Sequence, residues 1–441
     1  SERRQWNNSS RRSQRMSDQV AEMSATYLVE AAQDAVPVGY KQTEIGIIPA
    51  DWEIEKLGNL VDISSGESPS KFQFLSEGVP YFKVEQLNND SVYAEATSYF
   101  IATSKAIPAG SIIFPKRGAS ILSNKIRILK NDSFMDTNLM TLTCSQCLNE
   151  FYLYNQLNYK GLDSVADTTS IPQINNKHIY PYTIPLPSKV EQTAIANALS
   201  DVDALISELE KLTAKKQAIK TATMQQLLTG RTRLPQFSLR EDGMPKGYKQ
   251  SELGEIPEDW KFITLGKLVT FLKGSGLPKS ELVEDGLSPC IHYGQLFTTY
   301  GPKIENILSK TNSPGGVKSE ANDILMPTSD VTPNGLATAS SITESEVILG
   351  GDILIIRGDK KSLNGVFFSY LINVMHHQVM QLVTGSTVYH LYGSDMKKFC
   401  LALPSIVEQT AIATILSEMD DEIQTLEQRL GKTRQIKQGM M

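Results

Sequence analysis

The feature that most constrains this chain is an internal duplication. GYKQTEIGIIPADWEIEKLGNLV begins at Gly39, and GYKQSELGEIPEDWKFITLGKLV begins at Gly247. LPSKVEQTAIANALSDVDALISELE begins at Leu186, and LPSIVEQTAIATILSEMDDEIQTLE begins at Leu403. Strings this long, repeated in the same order, do not arise by chance. The stretches inside them, 62–185 and 270–402, show little similarity to each other. One chain therefore carries two matching frames around two different fillings. Matching frames imply a shared structural job, and differing fillings imply two different targets. A period of about 200 residues argues for two domains rather than a solenoid.

Each filling reads as short strands and turns with some helix. Residues 79–84, 111–117, 124–129, 322–327 and 351–357 have the β-branched and aromatic content of strands. Residues 151–159 and 366–383 read as helices, the second with Phe367, Leu371, Val374, Gln378 and Met380 along one stripe. The expected fold class is α+β.

The second half of each frame reads as a long helix. Ser188 with Glu191, and Ser405 with Glu408, have the spacing of a capping box, and Pro187 and Pro404 stand just before them. Apolar residues then recur at spacings of three and four. They are Ile195, Leu199, Val202, Ile206 and Leu209 in the first copy, with Thr213 next and Leu205 and Leu212 widening the stripe. In the second copy they are Ile412, Leu416, Met419, Ile423, Leu426 and Leu430. This is the pattern of a coiled-coil seam, and equally that of an amphipathic helix packed on its own domain. Charge favours pairing and gives its direction. Glu191, Asp201, Asp203, Glu208 and Glu210 precede Lys211, Lys215, Lys216, Lys220, Arg231 and Arg233. Glu408, Glu418, Asp420, Asp421 and Glu422 likewise precede Arg429, Lys432, Arg434 and Lys437. Antiparallel pairing sets each acidic half beside a basic half and suits both helix dipoles. Such a pair in a duplicated chain creates a pseudo-two-fold axis with one filling at each end. A helix from Lys189 to about Leu228 rises ~1.5 Å per residue, or roughly 60 Å, so it could act as a ruler between two segments one DNA turn apart.

Composition removes several classes. Hydrophobic residues are 40% and charged residues 21% of 441, as in ordinary globular chains. No apolar run approaches the ~18 residues of a membrane span, and SERRQWNNSSRRSQR at the start has no signal-peptide core, so we expect a cytoplasmic protein. The net charge is −6, so DNA contact would rest on local basic patches or on a partner. Cys144 and Cys147 form a lone CxxC, and Cys290 and Cys400 stand apart. We expect reduced structural thiols and no metal site.

At this point the residues resemble a known family. The two GYKQ…DW openings, the two LPS-x-VEQTAI helix starts, LLTGR at Leu227–Arg231 and TSDVTPNGLATAS in the second filling resemble the specificity subunit of type I restriction–modification enzymes, in the family's order, over residues 39–441. The resemblance implies two target-recognition domains, each reading half of a split sequence in double-stranded DNA. It implies that the conserved helices dock two modification (methyltransferase) subunits and set the distance between half-sites, and that restriction subunits complete the cleaving complex. It implies S-adenosylmethionine, ATP and Mg in those partners, and no cofactor in this chain. On this basis the chain divides into an N-terminal extension (1–38), a first recognition domain (39–186), a central conserved helix and linker (187–234), a second recognition domain with its lead-in (235–403) and a C-terminal conserved helix (404–441).

Two departures from the family pattern stand out. The second helix stops at KQGMM, with no counterpart of Gln225–Leu234, so the chain is either truncated or differently ended. Residues 1–38 precede the expected start, and Met16 could be a start codon. Ser17–Ala35 could form an amphipathic helix through Val20, Met23, Tyr27, Leu28 and Ala31, packed near the conserved helices.

No chemistry of its own is legible. There is no PP dipeptide for a [DN]PP[YF] methyltransferase motif, and GSGLPKS (274–280) lacks the spacing of a phosphate loop. PADWEIEK (Pro49–Lys56) resembles a nuclease's clustered carboxylates, but PEDWKFIT loses the later acids and the Lys, so a surface turn is expected, shaped by Pro49 and Pro257 and anchored by Trp52 and Trp260. His376 and His377 read as exposed or packed rather than as ligands.

Polar residues at strand ends and in loops are the candidates for DNA contact, since base edges and phosphates are met by Arg, Lys, Asn, Gln, Ser and Thr. In the first filling they are Lys83, Gln86, Lys116, Arg117, Lys125 and Thr169. In the second they are His292, Tyr293, Gln295, Thr328, Ser329, Asp330, Thr332, Thr387, Tyr389 and His390. GSTVYHLYG (385–393) ends the second filling where ADTTSIPQI (166–174) ends the first. The alternative to a DNA reader is a non-catalytic adaptor that binds proteins through two domains joined by a coiled-coil spacer.

Overall fold

The computed structural model describes residues 36–89, 91–167 and 171–440. The expected helix at Ser17–Ala35 and the candidate Thr169 lie outside the described residues. The chain forms two compact units: one runs up to Leu205 and takes in Thr433–Met441, and the other is Ile206–Lys432.

In the first unit a five-stranded sheet has the order Val61–Ser65, Leu139–Cys144, Ile112–Pro115, Arg127–Leu129, Tyr93–Ala94. All neighbours are antiparallel except the last pair. In the second unit the order is Val269–Lys273, Ile353–Gly358, Ile324–Pro327, Ser340–Ile342, Lys303–Ile304, again with only the last pair parallel. The two fillings, unlike in sequence, thus share one strand plan. Each also carries a small second sheet, centred on Val79–Phe82 in one unit and on Ser288–Ile291 in the other.

The central strands are apolar at every position because both their faces are covered. Ile112 and Phe114 face one core, with Tyr152, Leu153 and Leu157 of the helix Glu150–Lys160, while Ile113 faces the other, with Tyr81 and Phe82. Ile324 and Met326 likewise join Phe367, Phe368 and Leu371, while Leu325 joins Ile291 and Leu349. The frame closes each unit. Glu53–Lys56 pairs with Thr183–Leu186, and Lys261–Thr264 with Cys400–Leu403, both antiparallel. The first repeated string of each copy therefore pairs, across the whole filling, with the strand that runs into the second.

The expected helix at 366–383 is two helices, Gly365–Val374 and His376–Leu382, broken at Met375. Gln378 is not part of an apolar stripe. Its amide accepts from Cys400 N–H at 2.6 Å and donates to Cys400 C=O at 3.2 Å, fixing the second piece to the frame strand.

The long helices span Lys189–Leu228 and Ile406–Met440. Leu199, Leu209, Ile412, Leu416 and Ile423 are buried; Ile195, Val202, Ile206, Met419, Leu426 and Leu430 are half-buried. Leu205 and Leu212, expected to widen the seam, are each 40% exposed. Both expected packings occur along the same stripe. Ile195 packs on its own domain's core, as do Ile412 and Leu416. Farther along, in the second unit, Lys216 meets Glu422 at 2.6 Å, Lys220 meets Asp420, and Arg233 beyond the helix meets Glu408 at 2.6 Å. One residue number rises as the other falls, so the helices run antiparallel there. In the first unit Asp203 meets Lys437 at 2.7 Å.

The capping boxes form only by half. Ser188 Oγ accepts from Glu191 N–H, and Ser405 Oγ from Glu408 N–H, each at 3.3 Å. The glutamate side chains do not reach back. Glu191 Oε1 accepts from the Trp52 indole at 3.1 Å, and Glu408 Oε2 from the Trp260 indole at 3.3 Å. A buried indole N–H needs an acceptor, and that need redirects the carboxylate.

Candidate nucleic-acid interface

In each unit the third strand of the large sheet ends at a proline and runs on into a polar pair. In the second unit Pro327 is followed by Thr328, then by Ser329–Asp330, which pairs with Tyr389–His390 in the register Ser329↔His390 and Asp330↔Tyr389. Thr328 N–H donates to Asp352 C=O and Leu391 N–H to Thr328 C=O, so the ribbon is tied at its base. Residues read separately in the sequence at 328–332 and 387–390 thus meet on one two-stranded ribbon. In the first unit Pro115 is followed by Lys116 and Arg117, and Arg117 bridges to Gln173. Lys116 N–H donates to Asn138 C=O and Ile174 N–H to Lys116 C=O, the same two ties.

A second shared element is the turn after the central strand of the small sheet. Lys83 N–H donates to Gln86 Oε1 at 2.8 Å, and His292 N–H donates to Gln295 Oε1 at 2.9 Å. Gln86 and Gln295 therefore brace the turns that present Lys83, His292 and Tyr293. Gln295 also donates to Ser309 Oγ at 2.8 Å. In the second unit the turn and the ribbon belong to one face. Phe297, edge-on to Tyr293 at 6.2 Å, lies against Gly335, where a Cβ would stand 2.9 Å from the Phe297 ring and 2.0 Å from Asp330 Oδ2. Only glycine permits that approach. Asp330 in turn accepts from Thr332 Oγ1 at 2.7 Å and from Val331 N–H at 2.7 Å.

The side chains fall into two sets. Arg117, Thr332 and Thr387 are exposed, and His292, Tyr293, Ser329, Asp330, Tyr389 and His390 are half-buried at the surface. Thr328 is only 8% exposed and its Oγ1 faces Asp352, so it positions the ribbon. Lys83 lies over the Tyr99 ring, Nζ 3.6 Å from the centroid. Lys116 Nζ donates to Ser65 Oγ at 3.0 Å, and Lys125 Nζ to Asn88 Oδ1 at 2.5 Å. Burial, and then the neighbouring Arg117, push the Lys116 ammonium below its usual range, while Asp136 opposes them. Burial and then Lys279 hold His292 below the usual imidazole range, favouring a neutral ring whose Nδ1 accepts from Gly294 N–H at 3.1 Å. Sequence reading missed Lys273 and Lys279 beside this face, and Tyr392, which stacks on His390 at 5.9 Å. Aligning the strand ends IIFP and ILMP would have shown that Lys116–Arg117 and Thr328–Ser329 are counterparts.

The frame residues outside this face have structural work. Gln192 and Gln409 are buried, and each bonds three backbone groups of its own unit. Gln192 accepts from Asn149 N–H and donates to Cys147 and Pro187 C=O. Gln409 accepts from Asn364 N–H and donates to Ser362 and Pro404 C=O. Asn149 and Asn364 cap the domain helices. The repeated VEQT thus seats each long helix on its domain. Among the described residues no cluster of His, Cys, Asp or Glu could hold a metal, and no helix is long and apolar enough to cross a membrane.

Two α+β units of one plan, each with a variable polar strand end and a long frame helix, define a duplicated recognition protein. Its family is shown by comparison. The family model described as the type I restriction modification DNA specificity domain matches residues 49–221 and again 257–438, and the chain belongs to that family. Two Methanocaldococcus jannaschii proteins are similar over nearly their whole length. The one assigned as the type I restriction enzyme MjaX specificity subunit is 25% identical, over 91% of this chain and 94% of its own. The type I restriction enzyme MjaVIII specificity subunit is 23% identical, over 89% and 92%. Among solved structures, the type I restriction–modification S subunit from M. genitalium superposes with a TM-score of 0.55 at 18% identity, covering 88% of this chain and 94% of the other. It shares the fold.

Proposed function

We propose that this chain is the sequence-specific DNA-recognition subunit of a type I restriction–modification complex. Each unit reads one half of a bipartite target in double-stranded DNA. The long helices dock two modification subunits and set the half-site spacing. Methyl transfer and ATP-driven cleavage belong to modification and restriction subunits, which bring S-adenosylmethionine, ATP and Mg.

One observation carries the reading. Two fillings of unrelated sequence tie the same strand end with the same pair of backbone hydrogen bonds, build the same turn, and place different polar side chains there. Lys83, Lys116 and Arg117 stand where the other unit has His292, Thr328 and Ser329. A constant scaffold with a variable polar face is what base readout requires. A protein-binding adaptor would have no need for matched polar strand ends.

The test is methylation by the assembled complex. The chain is combined with its modification subunits and S-adenosylmethionine on random-sequence DNA. The expected result is modification at one bipartite sequence. Replacing 62–185 with another filling should change one half-site and leave the other. Change in both halves, or modification with no sequence preference, would refute the assignment.

A further inference from the structure

Exposed aliphatic side chains occupy one shared position in the two units. In the second unit Thr384 N–H donates to His390 C=O at 2.9 Å and His390 N–H to Thr384 C=O at 2.7 Å, closing a loop beside the ribbon. In the first unit Asp167 N–H donates to Gln173 C=O at 3.0 Å, and Gln173 N–H to Asp167 Oδ1 at 3.0 Å. His390 and Gln173, which close these loops, are also the residues opposite Ser329 and Arg117. Two residues before each stands a β-branched aliphatic: Val388, 43% exposed, and Ile171, 61% exposed. In the second unit a third joins them. Val331 and Val388 flank the terminal pair Asp330↔Tyr389 on the same side, and Val331 is 73% exposed. The Asp330 carboxylate holds this end of the ribbon, accepting from Val331 N–H and the Thr332 hydroxyl at 2.7 Å each.

A single exposed aliphatic residue is ordinary. Its recurrence at one place in two fillings of little sequence similarity, on a face otherwise polar, calls for an apolar partner. The ribbon segments 328–332 and 387–392 contain no Lys, Arg, Asn or Gln, and Asp330 adds a negative charge. Those missing residue types are the ones that enter the minor groove. The major groove admits a two-stranded ribbon, and the apolar group it displays is the C5-methyl of thymine. A β-branched side chain is stiff at χ1, so its methyl groups are held in place before contact.

We propose that Ile171 in the first unit, and Val388 with Val331 in the second, cover the methyl group of a thymine in their own half-site. The inference rests on the DNA-reading function proposed above. It adds three specificity-determining residues whose side chains have no hydrogen-bonding group, and which discriminate a base by its methyl alone.

The test uses the full chain assembled with its modification subunits, and fluorescein-labelled duplexes carrying the bipartite sequence it methylates. Deoxyuridine replaces each thymidine in turn, which removes the methyl and leaves every hydrogen-bonding group in place. Binding is followed by anisotropy. One replacement in each half-site should weaken binding about fourfold, the worth of one buried methyl-sized group. With Ile171→Ala the first half-site should lose that sensitivity and the second keep it. Val388→Ala with Val331→Ala should do the reverse. The half-site that each variant leaves alone reports that the complex is folded and assembled. Specific methylation with binding indifferent to every deoxyuridine, or sensitivity that survives in the variant of its own unit, would overturn this proposal and leave the DNA-reading function standing. If Ile171→Ala weakened binding whether or not the methyl was present, and lowered the fluorescence of 2-aminopurine placed in the half-site, the side chain would be a wedge between base pairs, which also overturns the proposal. Absence of any sequence-specific methylation would overturn both this proposal and the function on which it rests.

Discussion

Arg233 and Glu408 form a charge pair at 2.6 Å in which the side chains are 7% and 3% exposed. The pair joins the end of one repeat to the helix start of the next, with the Trp260 indole as a third partner on the same carboxylate. Removing one member of a buried pair leaves the other charged and unsatisfied. Arg233→Ala should therefore cost about 3 kcal/mol, far more than a surface salt bridge. Chemical denaturation of the second unit checks this. A loss below about 1 kcal/mol would mean that the pair behaves as an exposed one.

The same cluster sets an acid limit. Burial pushes the Asp259 carboxyl up, but hydrogen bonds from Arg233 and Lys246, with their charges, outweigh it and bring the group down to about 2. An unfolded aspartate titrates near ~3.9. The stability Asp259 contributes is thus complete above about 4 and is lost as pH falls toward 2. Melting curves of wild type and Asp259→Asn should converge over that window and differ at neutral pH. Parallel curves throughout would show that the carboxylate is uncoupled from folding.

Gln192 and Gln409 carry the seating of the long helices. Gln409→Ala would strand Asn364 N–H and the Ser362 and Pro404 carbonyls. Each variant should lose roughly 1–3 kcal/mol, the cost of unsatisfied buried groups. Hydrogen exchange should quicken at Asn364 for Gln409→Ala and at Asn149 for Gln192→Ala, each within its own unit. Exchange unchanged at both amides would count against the seating role.

The two polar strand ends predict separable DNA effects. Arg117→Ala should weaken binding of the assembled complex through the first half-site and, if it meets phosphate, reduce the salt slope by about 1. Tyr389→Ala with His390→Ala should relax the second half-site only. Thr328→Val should act through stability, because its hydroxyl faces Asp352 rather than solvent. Binding measured against substituted half-sites distinguishes these outcomes, and an Arg117 effect on both halves would contradict the modular reading.

The two-domain organisation, the α+β class, the long helices and their direction were legible in the chain itself. Repetition exposes shared architecture, and a stripe of spacing three and four, with acids early and bases late, specifies an antiparallel amphipathic helix whatever it packs on. Some central strands were legible too, since Ile112–Pro115 and Ile324–Pro327 are apolar throughout. What a side chain does once folded was not. Glu191 and Glu408 have capping-box spacing, yet tertiary packing brings an indole within reach from more than a hundred residues away. Gln378 sits on an apolar stripe by number but clamps Cys400. The common plan of the two fillings was equally hidden, because a sheet needs apolar residues at alternating positions and not any particular ones. Only the folded chain brings Ser329 opposite His390 and Arg117 opposite Gln173. Local periodicity is written in neighbouring residues, whereas a recognition face is assembled from strand ends that the chain reaches far apart.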